Sequence, residues 1–281
     1  MAEAKQIEAL AQERIPRLLF NYAVPAVVGT VVNSLYNIVD RIFIGQGVSE
    51  YALSGLAITF PILIFLQAFG MLVGAGASVQ VSILLGRRDV HGAEQTLANA
   101  IYITLVTQVL TIIPCYIYME PLLRLFGASD RTLPYAVEYL RIVIPANIFA
   151  TFSFGYNAIM RASGYPRKAM TTMLLSALIN VVLDYVFIYP MGMGIRGAAI
   201  ATAIAMIICA AYVLSHFFLP SSIVRFRRTA FRPSWAIMRA IPAIGVAPFA
   251  MQLTGSAVNV IMNRSFVAYG TTPEESDLAI G

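Results

Sequence analysis

The feature that most constrains this chain is the recurrence of long apolar runs that carry almost no charge. A run of roughly 18 or more such residues is long enough to cross a bilayer as a helix. The sequence holds seven, at about 18–44, 53–84, 95–118, 136–160, 168–189, 197–219 and 238–269, and a further apolar run begins at Leu278. Lipid offers no partner to backbone polar groups, so the spans must be helices or a closed barrel. The strict alternation of polar and apolar residues that marks barrel strands is absent. Composition agrees: 12% of residues are charged, where a soluble domain has about 25%. The expected fold class is all-α integral membrane.

Lys and Arg set the orientation of such a chain. Lys5, Arg14, Arg17, Arg87, Arg88, Arg161, Arg167, Lys168, Arg225, Arg227, Arg228, Arg232 and Arg239 fall on one set of loops. The opposite loops hold Glu50, Glu120, Asp130, Glu274, Glu275 and Asp277. This predicts a multi-pass protein of the plasma (cell inner) membrane with a cytoplasmic N-terminus. The net charge of +5 then anchors loops at a lipid bilayer and does not point to nucleic acid. The segment 1–17 lacks the apolar stretch of a cleavable signal peptide.

The expected organisation is a cytoplasmic segment 1–17, a six-helix N-lobe over 18–220, a cytoplasmic linker 221–237, and the start of a second lobe over 238–281. A faint repeat supports two lobes. Pro25 and Pro248 are 223 residues apart, and so are Asp40-Arg41 and Asn263-Arg264. Secondary transporters commonly rock two such repeats about a central site. On this reading the chain is a partial transporter, ending at the start of helix eight.

A charge inside a span costs at least a few kcal/mol and usually has a use or a partner. Two acids lie well inside apolar runs, Asp40 in span one and Asp184 in span five. Asn33, Asn37 and Asp40 are spaced i, i+4, i+7, and Ser176, Asn180 and Asp184 are spaced i, i+4, i+8. Each set shares one helix face. Two polar stripes ending in carboxylates can form a hard-cation site or a protonatable pair. The plain alternative for Asp40 is an ion pair with Arg41 at the span end. Asn157 and Thr202, taken alone, read as polar residues that tie neighbouring helices together.

Other patterns carry less. Gly192-x-Gly194-x-x-Gly197 spells a dinucleotide fingerprint, but that motif needs a βαβ unit; between two spans it reads as a tight turn. Gly70, Gly74 and Gly76 fit close helix packing. Pro25, Pro61, Pro114, Pro145, Pro242 and Pro248 lie within or at the ends of spans, where they bend helices and free backbone groups. The sequence contains no Walker-type GxxxxGK[ST], which argues against ATP as the energy source. Cys115 and Cys209 sit in apolar runs and read as packing, and neither His91 nor His216 has a metal-ligand neighbour.

Taken in order, the segments "VPAVVGTVVNSLYNIVDRIFIG", "GLAITFPI", "GAGASVQVSILLGRRDVHGAEQTLANA", "YNAIMRASGYPRKAM", "INVVLDYVFI" and "GIRGAAIATAIA" resemble the MATE (multidrug and toxic compound extrusion) family, in its DinF-like branch. The resemblance runs from about Leu18 to Gly281. It implies two six-helix lobes around a V-shaped cavity, and export of amphipathic or toxic cationic drugs in exchange for Na+ or H+, with no cofactor beyond the coupling ion and no metal beyond Na+. It also implies a cation site at Asp40, Asn157, Asn180, Asp184 and Thr202. Asn157 and Thr202 join that set by resemblance alone, and Asn33, Asn37 and Ser176 are supporting residues. Some members carry an acid on helix seven, whereas this sequence has no Asp or Glu between Trp235 and Pro273.

The mechanism expected is alternating access. A cation reaching Asp40 and Asp184 neutralises the pair, and helix one bends at a Pro25 hinge. The alternative is a flippase for a lipid-linked precursor, which favours a strongly cationic cavity. Less favoured is a membrane-embedded enzyme, because no His lies centrally in a span and no Cys–His pair is present. A passive channel needs pore rings or a filter motif, and none is visible.

Overall fold

The computed structural model describes residues 15–269 and 272–280. Lys5, Arg14 and most of the expected N-terminal segment lie outside the described residues, as does Gly281. Among the described residues the chain forms α1 (Ile15–Gly47), α2 (Glu50–Gly86), α3 (Val90–Ile117), α4 (Met119–Leu125), α5 (Leu133–Ala162), α6 (Pro166–Ile188), α7 (Gly194–His216), α8 (Trp235–Tyr269) and α9 (Pro273–Ile280), with a 3-10 turn at Arg228–Ala230. All but α4 and α9 are long and apolar enough to cross a membrane, and they coincide with the seven expected spans. The short helix α4 has no counterpart in the sequence reading, because seven residues are too few for a period to register. Helix α8 begins at Trp235, so it takes up the last residues of the expected linker 221–237.

Local signals fix the helix starts. Ser49 caps α2 by accepting from the Ala52 amide at 3.0 Å, and Asp89 caps α3 by accepting from Gly92 at 2.8 Å. Each satisfies one of the orphan donors of a first helical turn. Proline opens α5 and α6, where its missing N–H is no loss. Between α6 and α7 the chain turns through Gly192 (φ 61°) and Gly194 (φ 58°), a conformation that side chains resist. The literal dinucleotide motif is thus a turn. The six span prolines all lie inside helices.

Helix α2 is the hub, packed against α3, α5 and α8, while α7 packs on α5 and α6, and α1 lies mainly along α6. Small residues let α2 and α5 approach: a Cβ added to Gly74 would stand 2.6 Å from Gly155 Cα. Close backbone approach of this kind drives association where lipid is as apolar as the side chains. Apolar residues such as Leu35, Leu110, Ile117, Met251 and Ile261 point outward, as expected of a surface that faces acyl chains.

The segment 221–234, expected to be part of a linker, is not a loose tether. Ile223 and Val224 are buried in the core beside Tyr156 and Phe217, and Phe226 stacks near both rings. The Tyr165 hydroxyl donates to Ser221 O at 2.6 Å, and the Tyr102 hydroxyl donates to Phe231 O at 3.2 Å. Asn99 holds the end of the segment on both sides: Nδ2 donates to Arg232 O at 3.2 Å and Oδ1 accepts from Ser234 N at 2.9 Å. Arg227 Nε lies 3.0 Å from Glu94 Oε1, a carboxylate that is itself buried.

Candidate cation site and cavity

Helices α1, α2, α5, α6 and α7 line an open cavity of about 570 Å³, within the range of small-molecule sites. Two ends of the bundle frame it. The basic end carries the loops with Arg87, Arg88, Arg167 and Lys168, and the other end carries the α1–α2 and α6–α7 turns.

Toward the second end, Asp40 of α1 and Asp184 of α6 bring their carboxyl groups within hydrogen-bonding range of each other. Asp40 is 9% exposed and Asp184 is fully buried. Neither oxygen of Asp184 has a donor, and the same holds for Asp40 Oδ1 and the buried Asn180 Oδ1. Two facing acceptors without a donor are repulsive unless a proton or a cation lies between them. Asn180 Nδ2 donates to Thr202 Oγ1 at 3.3 Å, which ties the α6 stripe to α7. Asp40 and Thr202 line the cavity, whereas Asn180 and Asp184 lie behind them. The chemistry on offer is oxygen coordination of a hard cation, or a shared proton. No group of three or more His, Cys, Asp or Glu fit to hold a metal occurs among the described residues.

The structure adds two residues. Tyr36 lies beside Asn37 and lines the cavity with Asp40, and the buried Tyr139 of α5, which also lines the cavity, lies beside Thr202. Tyr36 stands one turn before Asp40, the same spacing that marked the stripe, so the sequence did carry a signal for it. Tyr139 comes from a separate helix and carried none.

Other expected residues are placed differently. Asn157 lines the cavity but donates through Nδ2 to Ala169 O at 2.9 Å, at the start of α6. Ala169 precedes Asp184 by fifteen residues, a helical rise of roughly 22 Å, so the structure does not bring Asn157 to the carboxylate pair. Asn33, Asn37 and Ser176 all line the cavity, with Asn37 Nδ2 donating to Asn33 O at 2.7 Å. The proposed ion pair between Asp40 and Arg41 is not among the ion pairs of the described residues; the Arg41 guanidinium lies over the Phe60 ring at 4.8 Å. Pro25 is buried inside α1, roughly 22 Å of helix from Asp40. Both cysteines are free and buried, and Cys209 borders the cavity beside Ser176.

Comparison with known proteins gives a consistent result. The MatE family profile matches residues 25–186, more than half of the chain. The multidrug export protein MepA of Staphylococcus haemolyticus is 27% identical over 95% of this chain and 59% of its own length. A multidrug resistance MATE family transporter of the MOP superfamily, solved in an inward-facing conformation, superposes with a TM-score of 0.81 at 27% identity, over 90% of this chain and 59% of that one. A MATE structure in the bent conformation gives 0.82 at 27% identity, over 93% and 57%. The chain spans about 59% of the length of the curated relatives it matches. With its seven membrane-capable helices, its cavity and these matches, the chain belongs to the MATE family of membrane transporters.

Proposed function

We propose that this chain carries the cation-coupling lobe of a secondary active multidrug exporter, of the DinF-like branch, in which Na+ or H+ entering at Asp40 and Asp184 drives release of amphipathic compounds. The observation that carries the reading is the buried carboxylate pair, facing each other without a donor beside the cavity. A ligand shifts a conformational equilibrium only by its differential affinity for the two states. The pair supplies that difference. An approach of α1 to α6 is unfavourable while both carboxylates are charged, and favourable once a cation sits between them. Pro25 gives α1 a point at which to bend, since proline removes one helical hydrogen bond. Tyr139, Thr202 and Asn180 contribute further oxygens.

The same reading places the basic loops, and hence the N-terminus, in the cytoplasm, in agreement with the positive-inside rule. No cofactor beyond the coupling ion enters the mechanism. The relatives named as multidrug export proteins support the substrate class.

The test is ethidium efflux from drug-sensitive cells expressing this chain joined to a complete second lobe. Asp40→Asn and Asp184→Asn are each expected to lower cation-driven efflux at least about 10-fold, the effect of losing an interaction worth ~1.4 kcal/mol or more. Normal efflux by both variants overturns the proposal.

A further inference from the structure

The charge of the cavity does not match a site built for cations alone. Its ionised lining residues are one acid, Asp40, and two arginines, Arg41 and Arg161. With Asp40 and the adjoining Asp184 both charged the two carboxylates balance the two arginines, and once a proton or a cation loads the pair the cavity is net positive. Arg41 is held over Phe60, near the carboxylate end. Arg161 is different. It ends α5 at the basic end of the same cavity, one turn after Asn157. Among the described residues it takes part in none of the ion pairs. Asn157, its cavity neighbour, has its amide committed to Ala169, and the Thr172 hydroxyl donates to Lys168 O at 3.1 Å.

Arg161 lies in the last turn of α5, among the basic residues of that end, and its side chain still lines the cavity. Among the described residues no anion pairs with it, which leaves its guanidinium free to meet an anion on the ligand. A guanidinium offers a planar fork of donors that matches a carboxylate or phosphate in two parallel hydrogen bonds. Leu63, Ile64, Met173, Met206 and Phe154 line the cavity beyond it, a flexible apolar surface of the kind that accepts many shapes. From these observations we infer that Arg161 is an oxyanion subsite, and that the cavity takes amphiphiles bearing a carboxylate or phosphate, with the anionic group on Arg161 and the apolar body along the cavity.

This inference rests on the reading of the cavity as the substrate's. It has a consequence for coupling. Loading the Asp40–Asp184 pair adds positive charge to the lining, so it does not repel an anionic group from Arg161. Substrates of this class are therefore expelled by the change of cavity shape and not by charge competition at the pair.

The test uses the purified 281-residue chain in neutral detergent, at fixed Na+ and pH, with 11-(dansylamino)undecanoic acid as a fluorescent probe and its methyl ester as the uncharged match. The acid is expected to bind about 10-fold tighter than the ester, as befits a charge-assisted bidentate contact. Arg161→Gln is expected to abolish the preference, and Arg161→Lys to retain part of it. Vesicles of phosphatidylglycerol or of phosphatidylcholine are then added. Displacement of the probe by phosphatidylglycerol alone identifies a lipid headgroup as the source of the oxyanion, and no displacement by either identifies a free amphiphile. Equal binding of acid and ester by the unaltered protein overturns the inference, with no variant required to fold. An unchanged preference in Arg161→Gln overturns it as well. The carboxylate-pair reading is tested by cation dependence and this one by acid–ester discrimination, so either can fail alone.

Discussion

Asn99 offers the sharpest test of how the segment 221–234 is held. It is fully buried, and it makes two hydrogen bonds to segment backbone, donating to Arg232 O and accepting from Ser234 N. Asn99→Ala removes both and leaves one carbonyl and one amide without partners. Each hydrogen bond is worth about 0.5–1.5 kcal/mol net, and stranding a buried partner adds to the loss. A local destabilisation of ~2–4 kcal/mol follows, which raises the population of the open segment roughly 30-fold to nearly 1000-fold. Hydrogen exchange reads that population directly, because opening exposes the Ser234 amide. Peptides covering 229–236 are expected to exchange faster by that factor in Asn99→Ala. Asn99→Asp keeps an acceptor for Ser234 and is expected to fall between. Exchange at the normal rate in a folded Asn99→Ala protein refutes the reasoning and leaves the segment held by buried Ile223 and Val224 and by its contacts with Tyr165, Tyr102 and Glu94.

Two further outcomes test the frame around the site. Gly74→Val drives a side chain into Gly155 and is expected to cost about 1–3 kcal/mol by overpacking, read as a lowered thermal midpoint. Gly86→Val, at a position with nothing within 4 Å, is the matched control and is expected to leave the midpoint near normal. Thr202→Val removes the acceptor of Asn180 Nδ2. It is expected to weaken apparent cation affinity about 10-fold, the usual scale for one lost hydrogen bond at a charged site, in a Na+ titration of efflux at fixed pH; an unchanged midpoint removes Thr202 from the site.

The sequence by itself determined what depends on neighbours along one helix. Seven runs of apolar residues are seven helices because lipid forces each backbone to satisfy itself, whatever lies beside it. Asp40 and Asp184 stood out for the same reason, as isolated charges in segments where charge is costly, and their i, i+4 companions came with them. What the sequence left open depends on the register between helices. The facing of Asp40 and Asp184, the arrival of Tyr139 from α5, the displacement of Asn157 to the opposite end of the cavity and the placement of Arg161 in its lining all follow from how far one helix slides along the next. That register is set by close contacts such as Gly74 on Gly155 and by the Asn180–Thr202 and Asn157–Ala169 hydrogen bonds. The segment 221–237 makes the same point. Its basic charge read as a cytoplasmic linker, and only the folded bundle, which presents Asn99, Tyr102, Glu94 and Tyr165 at the right spacing, turns it into a packed strap.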